Sequence, residues 1–133
     1  MREPVWITES VALAIHGRQI SEHGGDAGLR DATLLRSALA KPRNLFEYAG
    51  ETVDLAGLAG AYLYGIVRNH AFLDGNKRTA LAVSEVFLRR NGKRFVPPAS
   101  ALYAMVMAAA RGELAEEEIT DFFRDHTQDA NGD

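Results

Sequence analysis

The sequence contains no cysteine. That excludes a disulfide scaffold and a thiolate zinc site, and it favours an intracellular setting. No apolar run approaches the ~20 residues that span a bilayer, so no membrane partner is expected. The opening MREPVWITES has neither the basic flank nor the apolar stretch of a secretory signal, and a cytoplasmic location is the expectation. An excess of positive charge is missing too: 15 Lys and Arg against 18 Asp and Glu leave a formal net charge of −3. A general nucleic-acid binder normally carries a basic footprint. No direct nucleic-acid contact is therefore expected, and any phosphate chemistry must come from local cations. Internal repeats, low-complexity blocks and long linkers are also absent.

What remains is the composition of an ordinary globular protein, 47% hydrophobic and 25% charged. At 133 residues one domain can bury roughly 68% of its unfolded surface with no metal to hold it. The pattern predicts an all-α protein, a single compact helical bundle over residues 1–126 with a disordered tail at 127–133. Val5 to Ile7 is a short extended candidate. Thr8 then caps a helix running to about His23, stopped by Gly24 and Gly25. Asp31 caps a second, carrying Leu34, Leu35, Ala38 and Leu39 on one side and ending before Pro42. Arg43 to Glu51 has too weak a pattern for a helix and is assigned as a flap, a short loop or hairpin. From Asp54 to His70, Leu55, Leu58, Ala59, Tyr62, Leu63, Ile66 and Val67 recur at helical period. Gly57, Gly60 and Gly65 each cost about 1 kcal/mol relative to alanine in a helix interior, which points to a neighbouring backbone at close approach. A helix from about Asn76 to Arg90, stopped by Asn91-Gly92, is apolar nearly all round and is expected to be central. Pro97-Pro98 opens a further helix to Gly112, and Glu116 to Glu118 begin a last one with Ile119, Phe122 and Phe123.

The stretch HAFLDGNKR, residues 70–78, falls between the two apolar helices. The first amides of the second helix, from about Gly75 to Arg78, lack intrahelical acceptors and sit at the positive end of the helix dipole, which makes an anion site. Gly75 lets the backbone approach the anion, and Lys77 and Arg78 add full charges, the arginine with a bidentate grip on phosphate oxygens. Asp74 beside an anion is repulsive unless a divalent cation bridges them, and one carboxylate plus substrate phosphates is a usual Mg²⁺ arrangement. His70 is a histidine, the side-chain type that can act as a neutral base at cellular pH, and can take a proton from an attacking hydroxyl. Each residue alone has a structural use: His70 on the apolar stripe, Asp74 in a turn, Asn76 as a helix cap, Lys77 and Arg78 at the surface. Phe72 is assigned to the core as an anchor of the turn. Their joint occurrence at one helix start favours chemistry.

HAFLDGNKR resembles the H-x-F-x-[DE]-G-N-x-R signature of the Fic/Doc proteins, and its lysine before the arginine is similar to the death-on-curing branch. Seven specified positions at about one in twenty each put chance on the order of one in a billion per starting point. HGRQISEHGGDAGLRD, LLRSALAKPRNLFEY, RNHAFLDGNKRTALA and FLRRNG resemble death-on-curing toxins in the same order. The resemblance implies a small all-helical fold with a flap at Arg43 to Glu51. It also implies His70 as catalytic base, Asp74 as the Mg²⁺ ligand, Asn76 and Arg78 as phosphate contacts and Gly75 as the glycine of the anion loop. Most Fic relatives have a second glycine where this chain has Lys77 and transfer the adenylyl group of ATP to a hydroxyl. The lysine version implies a protein kinase that transfers the terminal phosphoryl group to a Ser/Thr hydroxyl, with translation elongation factor Tu as target and inhibition of translation as outcome. It further implies a toxin–antitoxin system, with a cognate antitoxin whose disordered tail folds as a helix on the toxin. Many Fic proteins instead carry an inhibitory Ser or Thr followed four residues later by Glu, and no Ser or Thr of this sequence has Glu at that spacing. Three alternatives stay open: adenylyl transfer (AMPylation) on the same fold, a catalytically silent partner-binding module, and a structural metal at His70 and Asp74, for which two ligands are too few.

Overall fold

The computed structural model describes residues 1–130 and contains, in order, α1 (Glu9–His23), α2 (Ala32–Ala49), a 3₁₀ turn (Gly50–Thr52), α3 (Leu55–Asn69), α4 (Asn76–Arg90), β1 (Lys93–Phe95), α5 (Ala99–Ala110), α6 (Glu116–Asp125) and β2 (Thr127–Asp129). Three helices begin on side-chain caps chosen by sequence. The Thr8 hydroxyl accepts from Val11 N, Asp31 from Leu34 N and Asp54 from Gly57 N, each satisfying an amide that has no helical partner. Val5 to Ile7 are not a strand. They are pinned by the Asn91 side chain, which bonds both polar groups of the Val5 backbone, and by the Tyr62 hydroxyl, which accepts from Ile7 N at 3.0 Å.

The expected stop at Pro42 and the flap from Arg43 to Glu51 are not found. Helix α2 continues through Pro42 to Ala49, with Pro42 itself buried. A proline inside a helix removes one hydrogen bond and costs about 3 kcal/mol. Burial offsets this cost: Leu35, Ala38 and Leu39 are in the core, Leu45 and Phe46 pack against it, and Phe46 meets the Trp6 ring edge-on at 5.6 Å. The segment lacks a local helical signal because its partner, Trp6, lies far away in sequence.

The central helix is α3, not α4. Of its 15 residues, 11 are buried, whereas α4 buries one face, through Asn76, Thr79, Ala80, Val83, Ser84, Phe87 and Leu88. Two of the three α3 glycines mark close approach. A Cβ on Gly65 would lie 3.3 Å from the Ala38 Cα of α2, and one on Gly60 would lie 3.1 Å from the Thr120 hydroxyl of α6. Gly57 meets chiefly its own cap region, Asp54 and Val53 at 3.2 Å, with the Thr120 methyl of α6 at an ordinary 3.8 Å. The Ser84 hydroxyl donates to Ala59 O at 3.1 Å and so ties α4 to α3.

Residues 127–130 are more ordered than expected. β2 pairs antiparallel with β1, Lys93 opposite Asp129 and Phe95 opposite Thr127, and the Lys93 ammonium pairs with the Asp129 carboxylate. The expected disordered tail is therefore wrong for 127–130, and its last three residues lie outside the described residues. Among the described residues no helix is long and apolar enough to cross a membrane.

Candidate active site

The site is the connection from the end of α3 to the start of α4. His70 terminates α3 in the left-handed region, φ 52° and ψ 50°, and is the only non-glycine with positive φ among the described residues. Such a conformation costs an L-residue about 1–2 kcal/mol, so the surroundings must impose it. Gly75, at φ 74°, makes the second sharp turn and leads into α4. The first ladder bond of α4 is donated by Thr79 to Gly75 O. The amides of Asn76, Lys77 and Arg78 precede it and stand free to bind an anion.

Between these turns the loop is held from inside. Phe72 is fully buried and stacked on His16, with ring centroids 3.8 Å apart. The Asn76 side chain is buried and spends both ends on Phe72, accepting from its N at 3.0 Å and donating to its O at 2.9 Å. Asn76 is thus the first residue of the helix rather than its cap, and its side chain is a loop clasp. What it can offer a phosphate is its backbone N–H. His16 Nε2 lies 2.8 Å from Asp74 O; a carbonyl only accepts, so this nitrogen carries the proton. His16 has no motif spacing to the site; its signals in the sequence are its place on α1 and at the start of the stretch HGRQISEHGGDAGLRD, and neither reveals its bond to Asp74.

Outside the loop runs the segment from Gly24 to Asp31. Its Asp26 N donates to Asp74 Oδ2 at 3.2 Å, Leu73 N donates to Gly28 O at 3.0 Å, and Arg78 donates to Gly24 O at 3.2 Å. One eight-residue strap therefore touches the candidate metal ligand and the candidate phosphate arginine at once.

His70, Asp74, Gly75, Lys77 and Arg78 all line one cleft of about 460 Å³, walled by Val67 and Ala110. His70, Asp74 and Lys77 are exposed there, and among the described residues Asp74 and Lys77 have no ion-pair partner. The cleft thus sets an imidazole, a carboxylate and two cations around free helix amides. Asp74 keeps Oδ1 outside its bond to the strap, which suits a Mg²⁺ ion that draws its remaining oxygens from phosphate and water. No group of three or more His, Asp or Glu that could form a closed metal site occurs among the described residues, so a purely structural ion at His70 and Asp74 lacks ligands.

Over 118 residues the chain is 33% identical to the protein kinase doc of Escherichia phage P1, covering 89% of this chain and 92% of that one. Over 69 residues it is 42% identical to the toxin Doc of Mycolicibacterium smegmatis, covering 52% and 53% respectively. The family model described as the Fic/DOC family matches residues 6–88, a span from Trp6 through the strap and the cleft to the last turn of α4, and the chain belongs to that family.

Proposed function

We propose that this protein is the toxin of a toxin–antitoxin system and acts as a protein kinase, transferring the γ-phosphoryl group of ATP to a Ser/Thr hydroxyl of a target, with translation elongation factor Tu as the expected target. The observation that carries the reading is the convergence of His70, Asp74, Lys77 and Arg78 with the free amides of α4 in one open cleft. The names of the two relatives, a protein kinase and a toxin, support it.

In this reading the triphosphate lies on the amides of Asn76 to Arg78, with Lys77 and Arg78 balancing its charge. Asp74 would hold Mg²⁺, which, when bound, neutralises phosphate charge and fixes the phosphate orientation. The His70 imidazole takes the proton of the target hydroxyl as its oxygen bonds to the γ phosphorus. The bond from that phosphorus to the β–γ bridging oxygen breaks, and ADP leaves with the electron pair. Lys77 favours phosphoryl over adenylyl transfer. Its side chain lines the cleft where most family members have glycine, so it crowds and recharges the pocket that the other phosphates would need. Control falls to an antitoxin in trans, because no Ser or Thr here is followed four residues later by Glu. The expected compartment is the cytoplasm, where ATP and the translation machinery are found.

The test is incubation of a target lysate with ATP labelled at the α or the γ phosphate, using wild type and His70→Ala. The expected result is γ label only, reduced at least 100-fold in the variant. Transfer of α label would establish adenylyl transfer instead, and equal labelling by both proteins would remove His70 from the chemistry.

A further inference from the structure

Three successive carbonyls at the site, those of Asn69, His70 and Ala71, are all bound by one residue. The Arg30 guanidinium donates through Nε to His70 O at 2.8 Å and through its terminal nitrogen to Asn69 O at 3.0 Å. The Arg30 backbone N donates to Ala71 O at 2.7 Å, joined there by Asp31 N at 3.0 Å. These carbonyls sit at the end of α3, where the helix leaves its last C=O groups without partners and where a cation is favoured by the dipole. A planar fork suits two neighbouring acceptors in a way that an ammonium does not. Arg30 does not line the cleft, so it does not touch nucleotide or target.

Fixing these carbonyls on both sides of the His70 α-carbon fixes its backbone angles. The left-handed turn of His70 is the unfavourable element of the site. A helical or extended His70 would swing its imidazole away from the α4 amides. From inside, Asn76 and His16 hold only Phe72 and Asp74; from outside, Arg30 holds the residue that carries the base. We infer that Arg30 is a positioning residue for His70: it locks the end of α3 in the turn that aims the imidazole into the cleft. The inference rests on the reading of His70 as the base, and it separates two tasks within one loop, anion binding by α4 and base placement by the strap.

The test compares wild type, Arg30→Lys and Arg30→Met. Lysine keeps the charge and the stem but cannot fork across two carbonyls, and methionine keeps a stem but removes the charge and every side-chain donor. Three readouts are taken: Mg·ATP affinity by calorimetry, the γ-labelling rate at saturating ATP, and the backbone ¹³C shifts of His70, which report its left-handed conformation. Both variants are expected to bind Mg·ATP within about threefold of wild type while labelling falls on the order of 10- to 100-fold, less for lysine than for methionine. The His70 shifts should move toward those of helical or extended backbone. Unchanged shifts, or labelling equal to wild type, would overturn the inference, as would a loss of ATP affinity in step with the rate, because Arg30 would then be building the anion site. If Arg30→Met does not fold, Arg30→Lys decides alone. Wild type that neither binds Mg·ATP nor transfers label would sink the proposed function, while the His70 shifts would still show whether Arg30 governs the turn.

Discussion

Two residues of the site, His70 and Asn76, six apart in sequence, divide chemistry from stability. Asn76 is buried and bonds both polar groups of the Phe72 backbone. Replacing it with alanine leaves a buried N–H and a buried C=O without partners, each a desolvation cost. Asn76→Ala is expected to lower unfolding free energy by about 2–4 kcal/mol, read as a shift of the urea midpoint at unchanged slope. His70 is exposed and sits at φ 52°, a conformation glycine adopts without strain. His70→Gly is therefore expected to abolish labelling while raising stability by up to about 1 kcal/mol. Strain relieved by removing the very side chain assigned to proton transfer fits a site that gives up stability for function. A His70→Gly protein markedly less stable than wild type would show that the imidazole is a structural member of the loop instead.

At the scale of elements, glycine tests the packing directly. Gly17 on α1 is exposed, and nothing lies within 4 Å of where its Cβ would be; Gly65 on α3 faces the α2 backbone at Ala38, 3.3 Å from a Cβ. Helix propensity alone favours alanine at both by up to about 1 kcal/mol. Gly17→Ala should realise that gain. Gly65→Ala should instead destabilise by about 1–3 kcal/mol, because α2 and α3 must part and the core repacks. Equal gains in thermal unfolding at the two positions would mean that α2 does not press on α3 there. The same contrast explains which elements were legible in the sequence. Thr8, Asp31 and Asp54 announce helix starts through their own side chains, and the α3 stripe shows its period without outside help. Pro42 and the residues after it could not be read this way: what keeps α2 helical is Trp6 and the α3 surface, both distant in sequence. Strand β2 hid for a related reason, since three residues carry no periodicity and only the partner strand defines them. The site divided along the same line. His70, Asp74, Gly75, Lys77 and Arg78 were visible as one contiguous motif, whereas His16 and Arg30 lie in a second matching stretch and act across 58 and 40 positions, so their roles show only in three dimensions.

For the whole molecule, two carboxyls outside the site set opposite pH dependences of folding. The Asp54 carboxyl is held below its ordinary range, first by hydrogen bonding from Arg124, which reaches it at 2.8 and 3.1 Å. A lowered folded pKa contributes stability above the unfolded value, lost as pH falls through the folded one. This contribution therefore fades in acid, and exposure of half of each side chain keeps it small. Glu85, partly buried on α4, is shifted the other way: burial raises its pKa, and Arg89 only partly opposes this. For a raised folded pKa the stabilising contribution is complete below the unfolded value, about 4.3 for glutamate, and is lost as pH rises through the folded value. At neutral pH the Glu85 charge thus works against the fold. Glu85→Gln removes that charge at almost constant volume, so it should raise the melting temperature by a few degrees at pH 7.5 and leave it nearly unchanged at pH 4. A gain of equal size at both pH values would trace the effect to packing or helix propensity rather than to the buried charge. A loss at pH 7.5 would mean that attraction to Arg89 outweighs desolvation at this position.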